Sequence, residues 1–242
     1  MTALTYARYD LAKVVRNRRF FFVSLGFPLV LFLLVAGPNR NAQLDGIPFT
    51  VYYMTGMAAF GTMNAAVAGG SIIALERAVG WTRQLRITPL PVWAYMLSKV
   101  IRGYVMACAS IIVLYIAGIS FNVHLALSGW LLMTGLILVG LLPFSVLGIL
   151  LGHVLSPDSM GPAQGGIIAL FSILGGAFGQ LASTGALHDI SEALPSYYLV
   201  EAGKAGLTQT SWPAEGWLVI AVWTAALARL ALFAYRRDTV RP

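Results

Sequence analysis

Six continuous apolar stretches constrain the fold of this 242-residue chain more than any other feature of its sequence. A helix needs about 20 mainly apolar residues to cross the hydrocarbon core of a bilayer. The stretches do not alternate between apolar and polar residues, which disfavours a transmembrane barrel. They cover approximately residues 20–36, 51–74, 104–121, 125–151, 162–184 and 217–235. The sequence therefore predicts an all-α integral membrane fold, a single transmembrane domain (residues 1–242) with six transmembrane helices.

The amino-acid composition excludes the other large classes of protein. Apolar residues make up 58% of the chain and charged residues 10%, and the mean hydropathy is +0.78. A soluble domain of this size lacks the interior to bury so much apolar surface. The single Cys108 excludes a disulfide framework. The net charge of +7 would suggest nucleic acid as a partner of a soluble protein, but in a membrane protein it indicates topology, so we expect no nucleic-acid partner.

The positions of the basic residues predict the orientation. If both termini are cytoplasmic, Arg40 and Lys204 are the only two of the 16 Lys and Arg residues that fall outside. Lys and Arg collect on the cytoplasmic side of membrane proteins. The sequence therefore predicts cytoplasmic N and C termini.

The three longest segments outside the predicted spans are residues 2–19, 75–103 and 185–216. Residues 2–19 have an apolar stripe and several basic residues, which predicts an amphipathic helix on the inner membrane surface or simply a basic topology anchor. Residues 75–103 form a predicted cytoplasmic loop. Residues 185–216 form a predicted extracellular segment that either dips into the outer leaflet or caps the spans. This last segment and its edge contain the interface-favouring aromatic residues Tyr197, Tyr198, Trp212 and Trp217.

The sequence lacks the groups that independent catalysis or ion coupling would need. No Asp, Glu or Lys falls in the middle of a predicted span, where ion-coupled carriers place ionisable groups. Gly203-Lys204 lacks the rest of a phosphate-binding loop, and no set of residues has metal-ligand spacing. We therefore expect no catalytic residue, no metal and no cofactor bound by this chain. If the chain pumps a substrate, another polypeptide must supply the energy.

The first half of the predicted cytoplasmic loop has the chemistry of a turn followed by a short helix. The second span ends in Glu76-Arg77, and Gly80 permits a turn out of the helix. A short amphipathic helix follows, with Trp81 and Leu85 on one side. The alternative is a basic loop that only sets topology.

The second half of the loop ends that helix and begins the next one. Thr88-Pro89 ends the short helix, because the residue before a proline avoids helical backbone angles. Pro91 stands at the first turn of the next helix, where its missing N–H costs nothing. We call residues 76–99 the elbow and predict that it is rigid.

The elbow resembles a loop in the membrane subunits of type-2 ABC exporters. That family carries Glu-Arg-Glu-Xaa-Gly-Thr-Xaa-Glu-Xaa-Leu after span two, then Thr-Pro-Leu, then a Lys or Arg near span three. This chain departs from the pattern at Ala78, Trp81 and Arg83. A second resemblance lies in residues 194–204, which are similar to the family's extracellular proline-containing segment. Thr82 and Leu85 fit the pattern with a small shift. The matching positions of the elbow are Glu76, Arg77, Gly80, Thr88, Pro89, Leu90 and Lys99.

The resemblance implies a partnership with an ATPase. Members of the family work as two membrane subunits, identical or sister permeases, with two copies of an ATPase subunit that binds ATP and Mg²⁺. The loop docks on the ATPase, the surface helix also contacts it, and substrates leave the inner leaflet or the cytoplasm for the outside. The implied location is the bacterial cytoplasmic membrane. The ATPase-coupling residues would be Glu76, Arg77, Gly80, Leu85, Thr88, Pro89 and Leu90.

Four glycines of the predicted fifth span are spaced for close helix approach. Their spacing fits packing within one subunit as well as a dimer seam, and the resemblance favours the seam, because spans one and five of the family meet across the dimer axis. The four positions are Gly161, Gly165, Gly175 and Gly179.

The cargo is predicted from apolar side chains that could line a path or could equally face lipid. Such walls suit a hydrophobic or amphipathic compound, and the short outer loops resemble the drug- and antibiotic-efflux branch of the family. A drug, an antibiotic or a lipid would be such a compound. The alternatives are a polysaccharide or a lipid-linked glycan as cargo, and a self-contained ion-coupled carrier or channel. An intramembrane enzyme would need a polar cluster at depth. The path residues would be Phe27, Met57, Phe60, Asn64, Phe171, Phe178 and Gln180.

Overall fold

A computed structural model of the chain describes residues 18–44, 46–87, 91–179 and 184–240. The described part is mostly helical. Nearly all of the predicted surface helix, residues 2–19, lies outside the described residues. So do Thr88, Pro89 and Leu90 of the elbow and Gln180 of the predicted path.

Ten helices and one small hairpin make up the described chain. The two-stranded antiparallel hairpin pairs Gln43 with Pro48 and Leu44 with Ile47. In chain order the elements are α1 (Arg18–Ala36), β1 (Gln43–Leu44), β2 (Ile47–Pro48), α2 (Phe49–Ala78), α3 (Trp81–Arg86), α4 (Val92–Ser120), α5 (Leu127–Gly140), α6 (Leu142–Val154), α7 (Pro157–Leu174), α8 (Ala186–Glu192), α9 (Pro195–Thr208) and α10 (Ala214–Val240).

Four helical segments are long and apolar enough to cross a membrane. They are Phe49–Ala78, Val92–Ser120, Leu127–Val154 and Ala214–Arg237. The third of these joins α5 and α6 across a single non-helical residue, Leu141. A multi-pass helical membrane fold is therefore confirmed, whereas the count of six spans and the cytoplasmic termini stay predictions.

The ends of the predicted loop 75–103 are helical. Helix α2 continues to Ala78 and α4 begins at Val92, so charged side chains that marked the loop in the sequence lie within helices. Lys99 is the clearest case, since its side chain is completely buried and paired. In the region of the predicted fifth span, 162–184, helix α7 begins at Pro157 and ends at Leu174, where a series of glycine-containing turns follows. The bounds of the span itself stay a prediction.

Helix α2 lies at the centre of the described bundle and packs against α1, α4, α6, α7 and α9. Glycine permits its closest contacts. A side chain at Gly70 would collide with the backbone of α6, and one at Gly148 of α6 would collide with the backbone of α2 at Val67. Gly69 and Gly103 make the same kind of contact between α2 and α4. Small residues let helix backbones approach closely in a bilayer, where packing rather than the hydrophobic effect holds helices together.

The predicted extracellular segment folds back onto the bundle through α9. Gly203 of α9 lies against Thr55 of α2, and Gly206 lies against Gly129 of α5. Thr55 is in the second turn of α2, whereas the elbow follows the C-terminal end of the same helix. The segment therefore packs at the end of the bundle opposite the elbow.

Candidate functional site

The elbow turns the chain sharply between α2 and α3. Gly80 has a φ of 72°, in the left-handed region that favours glycine. Its N–H donates to the carbonyl of Arg77, and the N–H of Val79 donates to that of Leu75. These bonds satisfy backbone groups at the end of α2. The turn predicted at Gly80 is therefore confirmed.

The short helix after the turn is amphipathic, as the sequence predicts. Trp81 and Leu85 pack against a small apolar cluster formed by Ile73 of α2 and Tyr95 of α4. Helix α4 is preceded by Pro91 in extended backbone geometry, which confirms the predicted start of that helix. The short helix is thus seated in the corner between two long helices.

Large apolar side chains on the elbow remain uncovered. Ile87 is 88% exposed just after α3, and Trp93 is 64% exposed in the first turn of α4. Val79 is also exposed. A series of such residues on one projecting loop is typical of a surface that another protein covers.

A buried ion pair joins the two long helices at the base of the elbow. Lys99 Nζ of α4 lies 2.7 Å from Glu76 Oε1 of α2, and the Lys99 side chain is 0% exposed. The Tyr95 hydroxyl donates to Glu76 Oε2 at 2.6 Å, and Lys99 Nζ also lies 5.0 Å from the centre of the Tyr95 ring. Both carboxylate oxygens of Glu76 are therefore engaged within the chain.

Arg77 fixes the same end of α2 to the end of α6. Its Nη1 donates to the carbonyl of His153 at 2.7 Å and to that of Gly152 at 3.2 Å. These carbonyls belong to the last turn of α6, where a cation is favoured by the helix dipole. Glu76 and Arg77 thus secure the elbow from inside the chain. Their roles in ATPase coupling, like those of Gly80 and Leu85, stay predictions.

Sequence reasoning missed the residues that complete this joint. Tyr95 has no distinguishing motif, and the carbonyls of Gly152 and His153 carry no signal in a sequence. Lys99 is visible as a motif position, but its burial is not. The available signal was the helical spacing of Tyr95 and Lys99, four residues apart, which puts both on one face of α4.

Three aromatic residues of the predicted path come together in an aromatic strip. The Phe60 ring of α2 lies 5.6 Å from the Phe27 ring of α1 and 5.5 Å from the Phe178 ring, which follows α7. Phe27 is 53% exposed and Phe178 is also exposed. The aromatic strip, Phe27-Phe60-Phe178, therefore forms an apolar surface on the outside of the described bundle.

The other described path residues make different contacts. Met57 is fully buried in the core. Phe171 packs against Phe144 and Trp223. Asn64 accepts a hydrogen bond at 2.8 Å from Gln164 of α7, an amide contact between two helices that the sequence did not reveal.

The four glycines of the predicted seam fall into two groups. Gly161 and Gly165 lie on the exposed side of α7 with open space beside them, and Gly179 also has open space. Gly175 is different, because a side chain there would collide with Ser196 of α9. The close approach at Gly175 therefore serves packing within the chain, while Gly161 and Gly165 leave a free small-residue face.

The sequence matches known membrane transport proteins. Residues 3–207 match the family described as ABC-2 type transporter. The chain is also 28% identical over 194 residues to a protein of Bacillus subtilis (strain 168) named "Putative transport permease YvfS", and the match covers 78% of each chain.

Proposed function

Because the chain belongs to the ABC-2 type transporter family, we propose that it is the permease subunit of an ATP-driven exporter for a hydrophobic or amphipathic compound. Family membership makes it a membrane transport component that works with an ATPase subunit and is not itself catalytic. The outward direction, the cargo and the route of coupling are the further content of the proposal. A drug, an antibiotic or a lipid would fit it.

The observation that carries the proposal is the joint at the base of the elbow. The Glu76–Lys99 ion pair and the Arg77 bonds to α6 tie α2, α4 and α6 together where the elbow begins. Because of these contacts, a movement of the elbow would be transmitted to the long helices. The uncovered Ile87 and Trp93 supply an apolar surface for the ATPase.

The proposed cargo is supported by the aromatic strip. Phe27, Phe60 and Phe178 form an apolar surface on the outside of the bundle, and Gly161 and Gly165 leave open space beside α7. A second permease copy on Gly161 and Gly165 would fill that space, and two ATPase subunits would then complete the assembly. The cytoplasmic membrane with both termini inside is the location that the basic residues support.

Purification with partners tests the proposal. The full chain, extracted from membranes in mild detergent, should recover an ATPase subunit in about equal amount, identified by mass, as expected for a permanent complex. We expect Ile87→Asp to reduce that recovery about tenfold, because it places a charge in the apolar contact. Leu187→Asp is the matched control, since Leu187 is an exposed residue of α8 at the opposite end of the bundle.

Three outcomes would overturn the proposal. The first is a homo-oligomer that transports without any ATPase, which would favour an ion-coupled carrier. The second is an Ile87→Asp variant that binds the ATPase as well as the Leu187→Asp control does. The third is an ATP-dependent complex that exports only a polysaccharide or a lipid-linked glycan, which would refute the proposed cargo.

A further inference from the structure

A cavity opens beside α9 at the end of the bundle opposite the elbow. It has a volume of about 310 Å³ and lies between α8, α9 and the segment that leads into α10. Pockets for small ligands have volumes from about 300 Å³ upward. The cavity is therefore large enough for one small molecule or for the head of a larger one.

Carboxylates dominate the charge of this cavity. Glu192, Glu201 and Glu215 line it, and Lys204 is the one basic residue among its lining residues. Lys204 Nζ lies 3.7 Å from Glu201 Oε2, but the Lys204 side chain is 57% exposed, so water screens the pair. Glu192 lies 3.2 Å from His188. The negative charge of the cavity is thus only partly balanced within the chain, which favours a cationic ligand over an anionic one.

The negative charge of Glu201 in particular is not fully balanced by its neighbours. Burial raises the pKa of its carboxyl group, and the positive charge of Lys204 opposes that effect. A raised pKa means that the surroundings disfavour the ionised form. A second positive charge in the cavity would stabilise the carboxylate.

Aromatic rings form the other wall of the cavity. The Tyr197 and Tyr198 rings lie 5.3 Å apart, nearly perpendicular to each other, and the Trp212 ring lies 6.0 Å from Tyr198. Trp212 is only 5% exposed, and its indole N–H is buried without a hydrogen-bond partner among the described residues. Rings of this kind attract quaternary ammonium groups through their negatively polarised faces.

We propose that this cavity binds an organic cation, with its alkylammonium group among Tyr197, Tyr198 and Trp212 and its charge balanced by Glu192, Glu201 and Glu215. The inference deepens the proposed function, because it narrows the cargo to amphipathic compounds that carry a positive charge. Binding itself requires neither the ATPase nor a direction of transport.

Direct binding to the purified full chain tests the inference. Choline and its uncharged carbon isostere, 3,3-dimethylbutan-1-ol, are titrated by calorimetry into the chain in maltoside micelles, with empty micelles as the blank. The two probes have the same shape and hydroxyl group, so a difference between them reports the charge. We expect choline to bind at least about tenfold more tightly.

Two substitutions with opposite expected signs sharpen the test. Glu201→Gln should weaken choline binding about tenfold, because it removes a carboxylate from a partly buried site. Lys204→Met should strengthen choline binding about threefold, because it removes the competing cation. Asp189→Asn is the matched control: Asp189 is exposed on α8 and does not line the cavity. A purely structural effect would not produce opposite signs.

Equal affinities for choline and its isostere, or equal affinities for choline before and after Glu201→Gln, would overturn the inference. Loss of folding is checked by thermal unfolding of each variant, and Tyr197→Phe, which keeps the ring, should retain choline binding where Tyr197→Leu loses it. The outcome is separate from that of the proposed function. Recovery of an ATPase without choline binding refutes the cation site alone, and choline binding without an ATPase refutes the exporter alone.

Discussion

Charged side chains are paired completely at one end of α2 and incompletely at the other. At the elbow, Lys99 is completely buried, and its partner Glu76 lies 2.7 Å away with both carboxylate oxygens engaged. At the other end, the half-buried Glu201 lies 3.7 Å from the exposed Lys204. The ion pair at the elbow is fully satisfied within the chain, which suits a structural contact between helices. The charge of Glu201 is only partly balanced, so it can interact with a ligand. Four changes would break or sharpen this comparison.

Breaking the closed pair should have the largest effect. Lys99→Met removes the partner of Glu76 and should lower the free energy of unfolding by about 3–5 kcal/mol, the usual cost of leaving one member of a buried pair alone. Denaturant unfolding of the full chain in mixed micelles measures the loss. The double variant Glu76→Gln with Lys99→Met should recover most of it, because neither charge is then left alone. A double variant that is no more stable than Lys99→Met would contradict the pairing.

Removing the second anchor of the elbow should have a smaller effect. Arg77→Met loses two hydrogen bonds to the carbonyls of Gly152 and His153, which should cost about 2 kcal/mol in the same unfolding assay. Arg77→Lys should lose less stability than Arg77→Met, since an ammonium group still interacts with the end of α6. Choline binding at the opposite end should be unchanged in both variants. A loss of choline affinity in Arg77→Met would show that the elbow and the cavity at the opposite end of the bundle are not independent.

The turn of the elbow offers a test with no change of charge. Gly80→Ala forces a side chain into left-handed backbone geometry and should cost about 1 kcal/mol. Gly80→Asn should cost less, because asparagine tolerates that geometry. Recovery of the ATPase with each variant shows whether the angle of the elbow matters for docking. Equal stability of the alanine and glycine chains would show that the turn is unstrained.

Acidity should act on the open end and produce the smallest effect. Burial raises the pKa of Glu201, so this carboxylate takes up a proton at a higher pH than an ordinary glutamate. The groups that face it are Glu192 and His188 of α8 and Lys204 of its own helix. Choline affinity should therefore fall severalfold as the pH drops from about 8 to about 5.

The raised pKa of Glu201 also affects the stability of the fold, with a pH dependence opposite to that of choline binding. An acid whose pKa is raised in the folded chain favours folding in its protonated form, so its contribution is lost as pH rises from the ordinary glutamate value through the raised one. Glu201→Gln should thus be slightly more stable than the parent chain at pH 8 while it binds choline more weakly. A pH profile of choline binding that is identical in Glu201→Gln would assign the titration to another group.

Local chemistry explains what could be predicted from the sequence. The turn at Gly80, the apolar side of α3 with Trp81 and Leu85, and the start of α4 after Pro91 each follow from residues that are close in the chain. The apolar stretches predicted a membrane fold for the same reason, since a span is one continuous segment. Such features need no knowledge of the tertiary structure.

Features that depend on distant residues could not be predicted in this way. Glu76 and Lys99 meet across 23 positions, and a lysine near a span end is ordinarily assigned to the membrane surface. Gln164 and Asn64 lie 100 positions apart. The packing of α9 against the start of α2 depends on Gly203 fitting over Thr55, and nothing in residues 195–208 alone indicates that fit.

The backbone contacts of α2 have a consequence for movement. Gly70 meets Gly148, and Gly69 meets Gly103, with no side chain between the backbones, so these helices are in direct backbone contact. A tilt of α2 would therefore act directly on α4 and α6. Helix α2 has 30 residues and is about 45 Å long, so a rotation of a few degrees at the elbow displaces its far end by several ångströms. That far end packs against α9, which lines the cavity described above, so α2 connects the elbow mechanically to the opposite end of the bundle.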